Sequence, residues 1–359
     1  MSTPFGSDDP SGSGPHPRPV PADAFDPGVE FEGWGHAPDV PWWKPAFLAL
    51  LVVATVSAIV VNVGGSDAVT APTSAPETTL DPASVGCDTT SVVACVPLTR
   101  KISRGDEGED VRRIQVRLKE LGFDPGPADG VFGGDTIMAM WAFQTVVMGR
   151  TRAATVDFVP PGMWDSMRVP VTIAPRRQPG TPRHVEVYLP EQALVVFEGT
   201  KPLLVTHISS GTGEVWTEKV VIDAGEEGNE NGAGPIEAMV TGTAVTPPGI
   251  YTVYKKKKGV RQSKLGTMWN PWYFNFGIAI HGAAQVPNAP ASHGCIRIPI
   301  FISEYFVDML GYANMVYVFD GVKEPEEYGT QRPPSDRILE VFPTTTVPGA
   351  ATTTTVPAG

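Results

Sequence analysis

Apolar residues recur three or four positions apart in two stretches of the first half of the chain. They are Val111, Ile114, Leu118 and Leu121 in the first stretch, and Ile137, Met140, Trp141 and Phe143 in the second. This spacing predicts two amphipathic helices, because residues three and four apart share one helix face. We expect the first helix to end at Gly122, where a glycine can close it. We expect the second to begin near Asp135 or Thr136, either of which could cap it.

The second half of the chain changes to short runs of Val, Ile, Tyr and Phe separated by Gly, Pro and Asn. From residue 184 these runs are HVEVYLP, ALVVFEG, PLLVTHISSG, AVTPPGIYTVYKK and FGIAIHG. Their length and spacing predict a mainly-β sandwich or barrel. Residues 301–310 predict a helix, and MVYVFD after them a closing strand. The acidic, glycine-rich segment 220–239 lacks periodicity and predicts a long surface loop.

Residues 46–63, AFLALLVVATVSAIVVNV, carry no charge and predict a transmembrane helix. Their number is near the minimum that a helix needs to cross a bilayer. Trp42, Trp43 and Lys44 precede this run, and no Lys or Arg follows it until Arg100. The positive-inside bias therefore predicts a cytoplasmic N-terminus, with everything after the run outside. A cleaved signal peptide is the competing interpretation, but its apolar core should follow a short basic region. A buried core helix would need a surrounding fold that the flanking sequence does not provide.

Composition assigns the remaining segments. The chain has 38 glycines and 37 prolines among 359 residues, and they concentrate outside the periodic stretches. We expect residues 1–45 to be a disordered cytoplasmic tail, residues 64–97 an extracellular stalk and residues 342–359 a second disordered tail. The net charge of −12 argues against a nucleic-acid partner. The basic run 255–258 is interpreted as a solvated hairpin tip rather than as a patch that steers an anionic polymer.

The three cysteines fall in two contexts. Cys87 and Cys95 lie close together in the predicted stalk, in a compartment where thiols oxidise, so we expect a local disulfide. Two unrelated free thiols are the alternative. Cys295 has no obvious partner and is therefore a candidate reactive thiol.

Candidate chemistry concentrates between residues 280 and 299, where His281, Ser292, His293 and Cys295 occur within fifteen positions. A thiol needs a neighbouring imidazole to act as a nucleophile, so this pattern indicates acyl transfer. Gly294 permits a tight turn that could leave the N–H groups of residues 294 and 295 free for an oxyanion. The alternatives are a zinc site built from the Cys and the two His, and simple packing of the three residues.

The helical stretch resembles the three-helix type of peptidoglycan-binding domain over residues 98–168. The positions on the pattern of that family are Gly105, Gly108, Val111, Gln115, Leu118, Gly122, Asp129, Gly130, Phe132, Gly133, Thr136, Phe143 and Gln144. Most of them are core or turn positions. The resemblance therefore implies a module that faces the cell wall and identifies no sugar or peptide contact; a structural spacer is the alternative.

The runs IHG and SHGCIR, with TPPGIY upstream, resemble the signature of L,D-transpeptidases with a YkuD-type catalytic domain. The resemblance implies that Cys295 is the nucleophile, that His281 is its base and that the Gly282 carbonyl orients the imidazole. The positions expected to shape the site are Ser292, His293, Gly294 and Arg297. The interval between His281 and Ser292 is shorter than in many members of the family.

The implied fold is multidomain: a single transmembrane helix, a small all-α peptidoglycan-binding domain, then a mainly-β catalytic domain over residues 183–322. The implied enzyme sits in the bacterial cell membrane and needs no cofactor or metal. It joins the stem tetrapeptides of peptidoglycan by 3→3 crosslinks through a Cys295 thioester, in cell wall biogenesis. Carbapenem-type inhibitors are expected to acylate the same thiol. An L,D-carboxypeptidase or a non-catalytic wall-binding protein is the alternative.

Overall fold

The computed structural model describes residues 75–80, 86–178, 180–224, 228–229, 231–263, 265–329 and 338–341. The chain divides into two compact units, residues 1–66 and 67–359, and every described residue lies in the second. The predicted tails (1–45 and 342–359) and the predicted membrane helix (46–63) lie outside the described residues. Within the described part, no helix is both long enough and apolar enough to cross a membrane.

Two groups of elements make up the described chain, and the first half holds most of the helices. The helices are α1 (Glu109–Glu120), α2 (Gly134–Val146), α3 (Pro161–Arg168), α4 (Ile300–Met309) and α5 (Pro325–Tyr328), with a 3₁₀ turn at Arg152–Ala154. The strands before residue 210 are β1 (Glu77–Leu80), β2 (Ile102–Ser103), β3 (Phe158–Val159), β4 (Val171–Ala174), β5 (Arg183–Tyr188), β6 (Ala193–Glu198) and β7 (Lys201–His207). The later strands are β8 (Val215–Ile222), β9 (Ile236–Thr243), β10 (Gly249–Thr252), β11 (Lys255–Lys256), β12 (Val260–Ser263), β13 (Gly266–Asn275), β14 (Ile278–Ala283), β15 (Ile296–Pro299), β16 (Met315–Phe319) and β17 (Ile338–Val341).

Helices α1 to α3 form the helical domain, which we take as residues 98–168. The first helix ends as the sequence predicts, with Gly122 at a φ of 89° just beyond it. Helix α2 begins close to the predicted start near Asp135 or Thr136, but the predicted cap was wrong, because Gly133 occupies the N-cap and no side chain caps the helix. The hydroxyl of Thr136 instead lies 3.1 Å from Nε2 of Gln115, inside the domain.

The β domain, which we take as residues 183–322, contains two five-stranded sheets. One has the order β10-β16-β5-β6-β7, and the other runs β11-β13-β14-β15 with β12 paired to β13. Strand β6 is an unbroken apolar run because both of its faces are buried. Leu194 and Val196 pack toward the second sheet, whereas Ala193, Val195 and Phe197 pack toward the helical domain. The sequence-predicted helix after residue 300 is α4, and MVYVF forms β16.

The acidic segment 220–239 is only partly a loop, which corrects the sequence prediction. Strands β8 and β9 pair along their whole length, so residues 223–235 alone connect them, and β17 adds a third strand. The reason is an apolar cluster in which Ile222, Ala238 and Val240 are buried. In the basic run, Lys255 and Lys256 likewise lie in β11, where each amine sits over an aromatic ring of β13.

Much of the segment predicted to be a stalk packs against the folded domains. Strand β1 pairs with β4, and Cys87 and Cys95 are joined by a disulfide. The carbonyl of Val96 accepts a hydrogen bond from the indole of Trp164 (2.9 Å). The carbonyl of Ala94 accepts one from Nε of Arg168 (2.7 Å). These contacts extend the helical fold toward the N-terminus, because they supply partners for backbone groups that a solvated stalk would leave to water.

Candidate active site

The centre of the candidate site is the parallel pair of strands β14 and β15. In its register Ile280 lies opposite Ile296 and His281 opposite Arg297. The isoleucines face the buried core between the sheets. Because side chains alternate along a strand, His281 and Arg297 point to the other face. Cys295 lies just before β15, and its Sγ lies 3.9 Å from the carbonyl oxygen of Gly277, just before β14. The pairing therefore sets the predicted nucleophile at the start of the strand that adjoins the strand of the predicted base.

His281 is buried and its ring orientation is fixed. Nδ1 lies 2.9 Å from the carbonyl oxygen of Gly282. Since a carbonyl only accepts hydrogen bonds, Nδ1 carries the proton and Nε2 is left as the basic nitrogen. The pKa of His281 is lowered to about 4, chiefly by burial and also by the charge of Arg297, while the Gly282 bond acts in the opposite direction. The imidazole is therefore neutral at pH 7 and can accept a proton.

Gly282 has a second role, which comes from its missing side chain. A Cβ at this position would lie 2.3 Å from Oγ of Ser303 on α4 and 3.0 Å from Cβ of Trp269 on β13. Both distances are shorter than side chains accept without movement. Glycine therefore allows α4 to lie close against β14, which holds the strand that carries His281.

The Cys295 turn, residues 292–295, is held by its own serine. Oγ of Ser292 donates a hydrogen bond to the carbonyl of Cys295 (2.5 Å) and accepts one from the N–H of Gly294 (3.0 Å). This corrects one expectation: the N–H of Gly294 is engaged by Ser292 and is not available to an oxyanion. Gly294 has a φ of 123°, a conformation that glycine adopts readily. Cys295 is half-buried and is not in a disulfide.

Thr246 anchors the same turn from another segment, a role that the sequence analysis did not assign. Its Oγ1 donates to the carbonyl of Gly294 (2.7 Å) and accepts from the N–H of Gly211 (2.9 Å). The backbone of Val245 also packs closely, since a Cβ on Gly294 would lie 2.7 Å from its carbonyl oxygen. The TPPGIY motif marked this region, but only the fold shows that its threonine reaches the turn.

His293 points away from this arrangement and toward β8. Its ring meets the ring of Trp216 edge-on at 5.1 Å. Its Nε2 lies 3.2 Å from a carboxylate oxygen of Glu218. His293 therefore links the Cys295 turn to the three-stranded sheet. Within the described ranges, no three His, Cys, Asp or Glu side chains are placed to hold a metal ion.

In the helical domain, the polar residues of the family pattern mostly bind one another. Nε2 of Gln115 lies within 3.1 Å of Asp129, Val131 and Thr136, and its Oε1 accepts from the N–H of Gly130 (2.8 Å). These contacts hold the Gln115 turn, residues 126–134. A cleft of about 160 Å³ lies over this turn. The motif is thus explained by local structure, and it leaves the ligand contacts of the domain unassigned.

Comparisons with known proteins agree with both resemblances. The family model of the L,D-transpeptidase catalytic domain (YkuD) matches residues 182–318, and that of the peptidoglycan binding domain matches residues 107–146. Among curated proteins there is no match. An L,D-transpeptidase structure from Xylanimonas cellulosilytica is 29% identical, with a TM-score of 0.48, and the match covers 62% of this chain and 100% of that one.

Two further solved structures are more distant. One from Stackebrandtia nassauensis is 20% identical (TM-score 0.32), covering 62% of this chain and 97% of that one. L,D-transpeptidase 1 of Mycobacterium tuberculosis is 15% identical (TM-score 0.27), covering 42% and 69%. The family models thus assign residues 182–318 to the L,D-transpeptidase catalytic domain (YkuD) and residues 107–146, which precede them, to the peptidoglycan binding domain.

Proposed function

We propose that this protein is a membrane-anchored L,D-transpeptidase that forms 3→3 crosslinks between peptidoglycan stem peptides through a thioester on Cys295. One observation carries the proposal. In the β14–β15 pair, the strand of a neutral His281, whose basic nitrogen is unprotonated, adjoins the strand that begins just after Cys295. A nucleophile beside an oriented base is what acyl transfer requires.

The reaction proceeds in two acyl transfers. As Sγ of Cys295 attacks the carbonyl carbon of the third residue of a donor stem, Nε2 of His281 takes the thiol proton. The bond to the terminal D-alanine breaks, and its nitrogen leaves with that proton. The side-chain amine of a second stem then attacks the thioester. It gives a proton to His281, which returns it to the departing sulfur. Because Arg297 and burial disfavour the charged imidazole, His281 holds each proton only briefly.

The acceptor decides between transpeptidation and its closest alternative. Water in place of the second amine would make the same site an L,D-carboxypeptidase, and a free D-amino acid would give exchange. A non-catalytic wall-binding protein is the second alternative, supported by the peptidoglycan-binding domain. The engaged N–H of Gly294 leaves this backbone donor out of oxyanion stabilisation in any of these reactions.

The location and the inhibitors follow from the sequence. We propose that residues 46–63 anchor the protein in the membrane with its N-terminus in the cytoplasm, so that both domains face the cell wall. A β-lactam of the carbapenem type would acylate Cys295, because its strained amide carbonyl takes the place of the donor peptide.

The test uses the full chain in detergent with a purified disaccharide tetrapeptide, followed by mass spectrometry. Crosslinked dimer together with free D-alanine supports transpeptidation. Tripeptide and D-alanine without dimer would assign the carboxypeptidase. No product, or the same product from Cys295→Ala, would exclude catalysis by this thiol and leave the wall-binding alternative.

A further inference from the structure

The connecting loop, residues 284–291, joins the end of β14 to the Cys295 turn. The proposed base, His281, precedes the loop in β14, and the proposed nucleophile, Cys295, follows it. The loop has no regular secondary structure, so its conformation depends on contacts with other segments.

One side of the loop is held by the end of β7 and the residues that follow it. Oγ of Ser209 donates to the carbonyl of Ala289 (2.7 Å). The carbonyl of Ser210 accepts from the N–H groups of Ala291 (2.9 Å) and Ser292 (3.0 Å). These contacts come from within the β domain.

The other side of the loop is held by the chain that follows α2 of the helical domain. Nη1 of Arg152 donates to the carbonyl of Asn288 (2.9 Å). Nδ2 of Asn288 donates to Oγ1 of Thr155 (2.6 Å), and this hydroxyl donates to the carbonyl of Arg152 (2.9 Å). The three residues close a small ring of hydrogen bonds that crosses between the two domains.

A third contact links the helical domain to the connecting loop through His207, the last residue of β7. Trp141 of α2 meets the ring of His207 edge-on at 5.1 Å. His207 is buried, and Nε2 lies 3.0 Å from the carbonyl of Pro287 in the connecting loop. Burial lowers the pKa of His207 to about 4, and the nearby charge of Arg152 acts in the same direction. When Nε2 carries the proton, His207 donates it to the carbonyl of Pro287, and the helical domain packs behind the ring.

These contacts have a fixed geometry because the two domains that make them share an apolar core. Phe123 and Val205 belong to one continuous apolar cluster that spans both domains. The N–H of Val205 also donates to the carbonyl of Gly122 (2.8 Å). The helical domain is therefore fixed against the sheet, so that Arg152 and Thr155 keep their places relative to β7.

We propose that the helical domain positions the active site: Arg152 and Thr155 hold the connecting loop and so fix the placement of Cys295 relative to His281. Both are positioning residues, since they act through Asn288. The catalytic part of this inference rests on the proposed function. The wall-binding module thus also serves as a structural support of the catalytic centre.

The test compares Arg152→Ala with Arg104→Ala in the full chain. Arg104 is an exposed arginine of the same domain whose guanidinium lies 3.9 Å from Asp157 and makes no contact with the connecting loop. The first readout is the rate of alkylation of Cys295 by iodoacetamide, measured by mass. The other two cysteines form a disulfide, so the reagent reports on Cys295 alone.

We expect Arg152→Ala to slow alkylation at pH 7 about fivefold or more, because a misplaced His281 no longer accepts the thiol proton as the sulfur attacks. The rate at pH 10 should be unchanged, because the thiol is already ionised there. Arg152→Lys should restore part of the rate, since one donor remains. Turnover of the tetrapeptide should fall about tenfold in kcat, with KM little changed, because misplacing a reacting group affects the chemical step. Arg104→Ala should match the unchanged protein in every readout.

Equal alkylation at pH 7 in Arg152→Ala and the unchanged protein would overturn the proposal. If Arg152→Ala fails to fold, Thr155→Val replaces it, because it removes the hydroxyl while keeping the volume. Alkylation needs no peptide substrate, so this result stands even if no tetrapeptide is ever turned over, which would count against the proposed function alone.

Discussion

The Gln115 turn of the helical domain and the Cys295 turn of the β domain are built alike, but they differ in which of their side chains take part in the hydrogen bonds of the turn. In each, one buried side chain binds backbone groups of a glycine-containing turn: Gln115 binds Gly130 and Val131, and Ser292 binds Gly294 and Cys295. In the Gln115 turn the carboxylate of Asp129 is also engaged, by Gln115 and by the N–H of Val131. In the Cys295 turn the cysteine contributes its carbonyl to the turn and not its thiol.

This comparison distinguishes sequence motifs that specify a fold from sequence motifs that specify a reaction. A motif whose polar groups all bind one another specifies a fold, and its loss should cost stability. A motif whose turn is held by neighbours, and whose cysteine thiol takes no part in holding the turn, specifies a reaction, and its loss should cost rate. Four changes test this distinction, starting with the largest expected effect.

Replacing the base should have the largest effect. We expect His281→Gln to lower kcat about 10³-fold, because a positioned general base contributes roughly 10²–10⁴. The fold should persist, since glutamine is uncharged and its amide can still donate to the Gly282 carbonyl. Tetrapeptide turnover and circular dichroism measure the two quantities. A normal rate in the folded variant would show that another group removes the thiol proton.

Removing the anchor of the Cys295 turn should cost both rate and stability. We expect Thr246→Val to lower kcat about 10–100-fold through displacement of the turn. It should also lower the free energy of unfolding by about 2–4 kcal/mol, because the carbonyl of Gly294 and the N–H of Gly211 lose their partner. Urea unfolding and steady-state kinetics give the two values. An unchanged kcat would mean that Ser292 alone fixes the turn.

Acid should weaken the β domain through its buried histidines. His207 and His281 have a pKa of about 4 when folded, against about 6.5 when unfolded. Between these values the unfolded chain binds more protons, so the free energy of unfolding falls as pH falls from 6.5 to 4. The loss is on the order of 3 kcal/mol per histidine at the end of this window.

The helical domain has no histidine over residues 98–168, so the effect should arise in the β domain, where His207 and His281 are the histidines with a lowered pKa. Urea midpoints at pH 7.5 and pH 5.0 give the difference, and His281→Gln should reduce it by the share of one histidine. If this variant shows the full pH dependence, groups other than His281 are responsible.

Disrupting the Gln115 turn should have the smallest effect on activity. We expect Gln115→Ala to lower the free energy of unfolding by about 1–3 kcal/mol, since a buried N–H and a carbonyl lose their partner. The kcat of the folded variant should stay within about twofold of the unchanged protein, because none of the hydrogen bonds of Gln115 reaches the connecting loop. A tenfold loss of kcat would contradict the distinction between the two turns.

The sequence predicts what depends on neighbouring residues. The end of α1 at Gly122, the series of strands and the helix α4 follow from periodicity and turn residues. The predicted cap of α2 was wrong because the hydroxyl of Thr136 binds Gln115, 21 residues earlier in the chain. The pairing of β8 with β9 was missed because the end of β8 and the start of β9 fall within residues 220–239, whose acidic, glycine-rich centre hides the two apolar runs.

The residues whose contacts position the candidate site are even further apart in the sequence. Thr246 and Gly294 are separated by 48 residues, and Arg152 and Asn288 by 136. No local pattern marks such pairs, since they depend on how the sheets and helices pack. The proposed reacting residues are marked by the sequence itself, because a thiol beside histidines is rare in a short, glycine-bounded run.

The parallel pairing of β14 with β15 has a consequence for how such a site tolerates insertions and deletions. Two parallel neighbours need a long crossover between them, and the length of this crossover does not set their register. Residues can therefore be gained or lost between His281 and Ser292 while His281 stays opposite Arg297. The number of residues between base and nucleophile is thus a poor guide to whether they can meet, and the short interval in this chain is compatible with the same pairing.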